Sequence, residues 1–183
     1  AKYTLTLAAD IDPGYASGMP RDLTVYNNHL YFSATTPAYG KELYEYTPGI
    51  GAKRISDVNP GPGNGFINLN NKSLLTANLT TCIGGYQGNI YFSGIDSDTI
   101  CHMYKYDRSS GQVSNFYFDP KANVYAGGFY EFNGKFYFSA NATNNCGVEL
   151  WAYSGSGNPE MVADIYTGTV NSDPYMFAGF DRI

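Results

Sequence analysis

The sequence predicts an all-β chain assembled from a repeated four-stranded unit, and three observations carry that expectation. Aromatic residues form 16% of the 183 residues, with 18 Tyr, 11 Phe and 1 Trp, and they fall in short runs among β-branched residues. Turn formers punctuate those runs, with 21 Gly and 9 Pro. The third observation is the strongest: segments recur. Leu30-Tyr31-Phe32-Ser33-Ala34, Ile90-Tyr91-Phe92-Ser93-Gly94 and Phe136-Tyr137-Phe138-Ser139-Ala140 are spaced by 60 and 46 residues. ELYEY at 42–46, HMYKY at 102–106 and ELWAY at 149–153 are spaced by 60 and 47. DIDPG at 10–14, DVNPG at 57–61, YFDPK at 117–121 and DIYTG at 164–168 are spaced by 47, 60 and 47. Three markers with the same offsets define a unit of about 47 residues, the second copy being preceded by a 13-residue insertion.

Each element follows from local chemistry. Residues 1–9 match the last strand of a unit, with Tyr3, Leu5 and Leu7 alternating along it. In the first complete unit, 21–58, period-two alternation marks strands at 21–27, 29–36, 41–47 and 52–58. Asn27-Asn28 joins the first two, as Gln87-Gly88 and Asn133-Gly134 do in the later units, because these residues tolerate the positive φ of a tight hairpin. Pro48-Gly49, Ser109-Ser110-Gly111 and Gly155-Ser156-Gly157 turn the third strand into the fourth. The insertion at 61–78, rich in Gly and Asn, is expected as a surface loop. Further units follow at 80–119 and 126–165, and 173–183 match a first strand, Pro174 and Phe177 falling on Pro20 and Leu23. Four antiparallel strands per unit of this length are the signature of a β-propeller blade. The expectation is therefore one propeller-like region over 1–183, with three complete blades and partial-blade strands at both ends. Orphan strands expose unpaired N–H and C=O groups, so the expected partners are further blades of a longer chain or neighbouring copies.

Composition excludes several functions. The formal charge is −5 and the pI about 4.8, so the chain lacks the basic face of a nucleic-acid binder. Its apolar runs are far shorter than the roughly 18 residues of a membrane-spanning helix, so no membrane insertion is expected. Ala1 to Leu7 lack the basic start and apolar core of a signal peptide.

Gly40-Lys41-Glu42-Leu43-Tyr44, Gly147-Val148-Glu149-Leu150-Trp151, Asp10-Ile11-Asp12-Pro13-Gly14 and the three Tyr-Phe-Ser strands together resemble the ELWxxDGT repeat family. The DGT triplet is replaced by Thr47-Pro48-Gly49 and Ser154-Gly155-Ser156, and the middle copy carries Cys101-His102-Met103-Tyr104 at the ELW position. The resemblance implies propeller repeats of secreted or surface-attached bacterial proteins, hence an extracellular or cell-surface setting. A non-enzymatic module for binding or assembly is the leading expectation. A carbohydrate-binding propeller and a fragment of a propeller glycosidase are the alternatives.

Candidate sites are few. The Tyr-Phe pairs at 31–32, 91–92 and 137–138 suit packing between blades. Tyr15, Tyr39, Tyr125, Tyr166 and Tyr175 lie outside the repeat and are the candidate platforms for glycans, because tyrosine offers an apolar face and a polar tip. Glu42 and Glu149 recur at one position and are expected to accept backbone N–H groups at turns. His29 and His102 have no Ser or Cys partner at motif spacing, and no G-x-S-x-G occurs, so a nucleophilic triad is not expected. No cofactor is expected beyond calcium, for which Asp96 and Asp98 offer oxygens, with Asp10 and Asp12 a weaker pair. Sequons stand at Asn71, Asn78 and Asn141. With three cysteines, Cys82–Cys101 is the favoured disulfide and Cys101–Cys146 its rival.

Overall fold

The computed structural model describes residues 3–14, 16–67, 82–116, 123–141, 147–175 and 177–178. Among them there is no helix. Twelve strands form three antiparallel sheets of four, each running up and down in chain order. The first sheet holds β1 (Arg21–Tyr26), β2 (His29–Thr36), β3 (Gly40–Thr47) and β4 (Gly51–Arg54). The second holds β5 (Ile83–Tyr86), β6 (Asn89–Ile95), β7 (Cys101–Asp107) and β8 (Gln112–Asn115). The third holds β9 (Ala126–Phe132), β10 (Lys135–Ala140), β11 (Glu149–Tyr153) and β12 (Glu160–Ala163).

Local chemistry sets the hairpins. Both central residues of each first turn have positive φ: 47° and 62° at Asn27 and Asn28, 44° and 79° at Gln87 and Gly88, 49° and 71° at Asn133 and Gly134. That is the type I′ geometry whose twist matches the flanking strands. β4 stops at Arg54 rather than continuing to 58 as the alternation suggests. Ile55 and Ser56 both send their N–H to Leu43 O, while the Ser56 hydroxyl accepts from Leu43 N at 2.9 Å, so a side chain replaces the next ladder bond.

The sheets meet through their first strands, β1 against β5 and β5 against β9. The tyrosines that close β1 and β5 reach the hairpin of the next sheet. Gly88 N–H donates to Tyr26 OH at 2.8 Å, and Tyr86 OH donates to Gly134 O at 2.6 Å. Ser93 Oγ donates to Ala126 O and accepts from Ala126 N, at 2.8 and 2.9 Å. Between sheets one and two, Tyr31 and Leu43 pack on Ile83, Ile90 and Phe92. Between sheets two and three, Tyr91 and Met103 pack on Phe129, Phe136 and Phe138.

A second set of repeated contacts ties each linking segment to the sheet it leaves. Asn64 Oδ1 accepts from Lys41 N, Asn123 Oδ1 from Cys101 N and Asn171 Oδ1 from Val148 N, at 2.8 to 2.9 Å. The link from sheet one then continues inward. Phe66 bridges Gly94, and Phe66 and Ile67 are buried. The insertion expected as a surface loop therefore contributes core residues at 66–67, because its apolar pair fills the seam beside β6; 68–78 lie outside the described residues.

The outer faces of sheets one and three differ from their inner counterparts. Leu23 is 61% exposed, whereas its repeat equivalent Ile83 is 1% exposed against sheet one. On sheet three, Tyr137 and Leu150 are half-buried, whereas Tyr31, Leu43, Tyr91 and Met103 at the same repeat positions are buried under the following sheet. Apolar cavities of about 190 Å³ and 180 Å³ open on these two faces. Residues 3–9, expected as a last strand, join no ladder among the described residues, and Tyr3, Leu5 and Leu7 are exposed. The described part of 173–183 likewise contains no strand. An isolated strand has nothing to satisfy its backbone except water.

Candidate functional site

The seam between sheets one and two holds a polar cluster that the repeat does not explain. Register places Tyr31, Glu45 and Lys53 directly opposite one another on β2, β3 and β4. Glu45 shares the face of Leu43 and turns toward sheet two, so the strand buries a carboxylate where alternation calls for an apolar residue. Glu45 is 3% exposed. Tyr31 OH donates to Glu45 Oε1 at 3.0 Å, His29 Nδ1 lies 2.9 Å from the same oxygen, and Lys53 Nζ lies 2.9 Å from Oε2. His29 Nδ1 also stands 2.8 Å from Thr47 Oγ1. From sheet two, Arg108 brings Nε to 3.8 Å from Glu45 Oε1. Tyr106 completes the wall of a cavity of about 260 Å³.

The electrostatics favour a charged Glu45. Burial pushes its carboxyl up, but hydrogen bonds from Lys53 and Tyr31 and the charges of Lys53 and His29 outweigh that and hold it below the usual carboxylate range. The hydrogen bond to Glu45 raises Lys53 in turn. Burial first, and then the bond to Glu45, raise Tyr31. A carboxylate this well supplied with donors is a poor proton acceptor, so the arrangement suits binding better than acid–base chemistry.

The residues singled out from the sequence do not gather there, apart from His29. Tyr39 lies in the β2–β3 turn with the Arg54 guanidinium 3.7 Å above its ring. Tyr125 is half-buried ahead of β9, and Tyr166 and Tyr175 are exposed beyond β12. None of these four lines a cavity named above, and Tyr15 lies outside the described residues. Asp96 Oδ1 accepts from Asp98 N and Ile100 N, both at 3.0 Å, and Oδ2 lies 3.5 Å from His102 Nε2. Asp96 thus closes its own turn, and among the described residues no group of three or more metal-ligating side chains gathers around it or around Asp10 and Asp12. Asn141 uses its amide to accept from Tyr125 N at 2.7 Å and to donate to Asn123 O at 3.2 Å. Asn71 and Asn78 lie outside the described residues. The expected Cys82–Cys101 bridge is absent. β6 separates β5, which follows Cys82, from β7, which Cys101 opens, and the two residues are buried in different clusters, Cys82 with Ile83 and Phe92, Cys101 with Ile67 and Val148. Cys146 lies outside the described residues.

Glu42 and Glu149 are fully buried and tie down the chain after their sheets. Ser56 Oγ and Val58 N donate to Glu42 Oε2 at 2.5 and 3.4 Å. Ile165 N and Ser172 Oγ donate to Glu149 Oε2 at 2.9 and 2.5 Å. For Glu42 burial outweighs these bonds and pushes the carboxyl up to about 7 from 4.5. Because the folded state holds this proton more tightly, the stabilisation is complete below pH 4.5 and is lost as pH rises through 7. The loss is about 3 kcal/mol. Glu42→Gln, which mimics the protonated acid, is expected to raise the melting temperature at pH 8 and leave it nearly unchanged at pH 4. Thermal melts of both proteins across that range check this; parallel profiles contradict it.

Glu45, Lys53 and Arg108 escaped the sequence reading, although a glutamate at an inward position of ELYEY was its visible signal. No family model matches the chain, and no curated protein matches it. Among solved structures, TolB from Acinetobacter baumannii is similar at 13% identity and a TM-score of 0.42, over 74% of this chain. The chain spans 29% of that structure's length.

Proposed function

We propose that the chain is a β-propeller segment acting as a binding or assembly module, not as an enzyme, at the cell surface or outside the cell. On this reading further blades of the same polypeptide, or neighbouring copies, cover its two outer sheet faces. The carrying observation is the mismatch between equivalent positions: Leu23 is exposed where Ile83 is buried, and Tyr137 and Leu150 are half-buried where Tyr31 and Leu43 are fully buried. Among the described residues, side chains that the repeat places to meet a neighbouring sheet face none on these two outer faces. Exposed apolar faces of this kind favour association. The location rests on the resemblance to surface repeat proteins.

The test is the solution mass of residues 1–183 by light scattering, with and without Leu150→Asp. The expected result is association that the charged substitution at the outer face of sheet three weakens. A monodisperse monomer with a sharp melt, unchanged by Leu150→Asp, would contradict the proposal.

A further inference from the structure

Repeat equivalence separates scaffold from site at the seam between sheets one and two. Tyr31 and Tyr106 are scaffold, since tyrosine also stands at 91, 137, 46 and 153. The charged residues are not. Glu45 corresponds to Lys105 and Ala152, Lys53 to Val113 and Glu160, and Arg108 to Pro48 and Gly155. One seam of a repeating stack therefore carries a charged cluster that its neighbour lacks, and it opens into the cavity of about 260 Å³.

The charge balance of that cavity is positive in a chain whose formal charge is −5. Lys53 and Arg108 bring two fixed positive charges to the single carboxylate of Glu45, a surplus of one. Glu45 Oε1 is occupied by Tyr31 and His29, and Oε2 by Lys53. At 3.8 Å Arg108 Nε is too far from Oε1 for a hydrogen bond, and this buried N–H has no acceptor among the described residues. Arg108 lines the cavity, and a second carboxylate there would pair with its guanidinium charge.

We propose that this cavity binds a small organic carboxylate, held by Arg108 and Lys53 with its body against Tyr106. One leftover positive charge matches one carboxylate. A phosphate brings about −1.5 to −2 and would leave excess negative charge next to Glu45. The volume lies just below the roughly 300 Å³ at which ligand clefts begin, which suits a single sugar acid or smaller and excludes a polymer. The inference is independent of how the outer sheet faces are covered, because the cavity lies between the first two sheets.

The experiment is isothermal titration calorimetry of the whole chain with sodium acetate, sodium glucuronate and inorganic phosphate at low salt. Saturable binding of a carboxylate in the millimolar range or tighter is expected, weakening as salt is added. Arg108→Gln is expected to reduce affinity at least tenfold. Lys53→Met, at a side chain 63% exposed, is expected to reduce it severalfold. Glu45→Gln removes the competing carboxylate and is expected to strengthen binding, a result that a purely structural ion-pair cluster would not give. Absence of saturable heat with both carboxylates would overturn the proposal. So would affinities unmoved by Arg108→Gln and Lys53→Met, or phosphate binding more tightly than either carboxylate.

Discussion

Replacing Phe136 by Ala is expected to lower the melting temperature by roughly 10–15 °C, from a loss of about 3–5 kcal/mol. Phe136 is fully buried where sheet two meets sheet three. Its ring stacks on Tyr86 and on Phe129, both at 5.3 Å between centroids, and meets Tyr91 at 5.0 Å. Removing it leaves a cavity bounded by three aromatic rings whose backbones belong to two separate sheets, so collapse around the void is restricted. The loss should appear in differential scanning calorimetry as one shifted transition. A shift of only a degree or two would show that the two sheets do not depend on this cluster.

Gly84→Ala is expected to destabilise by about 3 kcal/mol, at the upper end of overpacking costs, although it adds one methyl group. β5 runs between β1 and β9, and a Cβ on either of its middle residues, Gly84 and Gly85, would press on Phe129 or Tyr26. A Cβ at Gly84 would stand 2.3 Å from Phe129 Cβ and 2.7 Å from Phe136 Cζ. Because Phe129 Cβ is anchored to its backbone, relief requires β9 to move and not merely a ring to swing. In an ordinary strand the same change should help, since glycine weakens strands. Urea unfolding measures the difference, and a variant as stable as the parent would contradict the close approach of these strands.

Repeat markers made the four-strand sheets legible in the sequence. Hairpins such as Asn133-Gly134 announce themselves, because few residues accept the φ values of 49° and 71° found there. Glu42 and Glu149 were legible as turn acceptors for a similar reason: a carboxylate recurring at one repeat position has a structural task. The charged cavity was harder to foresee. Tyr31, Glu45 and Lys53 meet through strand register, and Arg108 joins them only once two sheets stack, a distance relation that periodicity does not encode. The asparagines at 64, 123 and 171 were missed because their spacing is regular only relative to the third strand of each sheet. Burial of Phe66 and Ile67 was hidden by the Gly and Asn around them, which mark loops whether or not an apolar pair within them turns inward.

If the outer faces of sheets one and three are packing surfaces, hydroxyl-radical footprinting of the protein in its assembled or full-length form will show them protected. Phe132 is 45% exposed in the chain by itself, and Tyr137 and Leu23 lie on the same two outer faces. Tyr166, exposed and lining neither cavity on those faces, is the reference for free reactivity, and Tyr31 the reference for burial. The predicted result is oxidation of Phe132, Tyr137 and Leu23 slowed toward the Tyr31 rate, while Tyr166 reacts freely. Oxidation of all three at rates expected for open surface would contradict it.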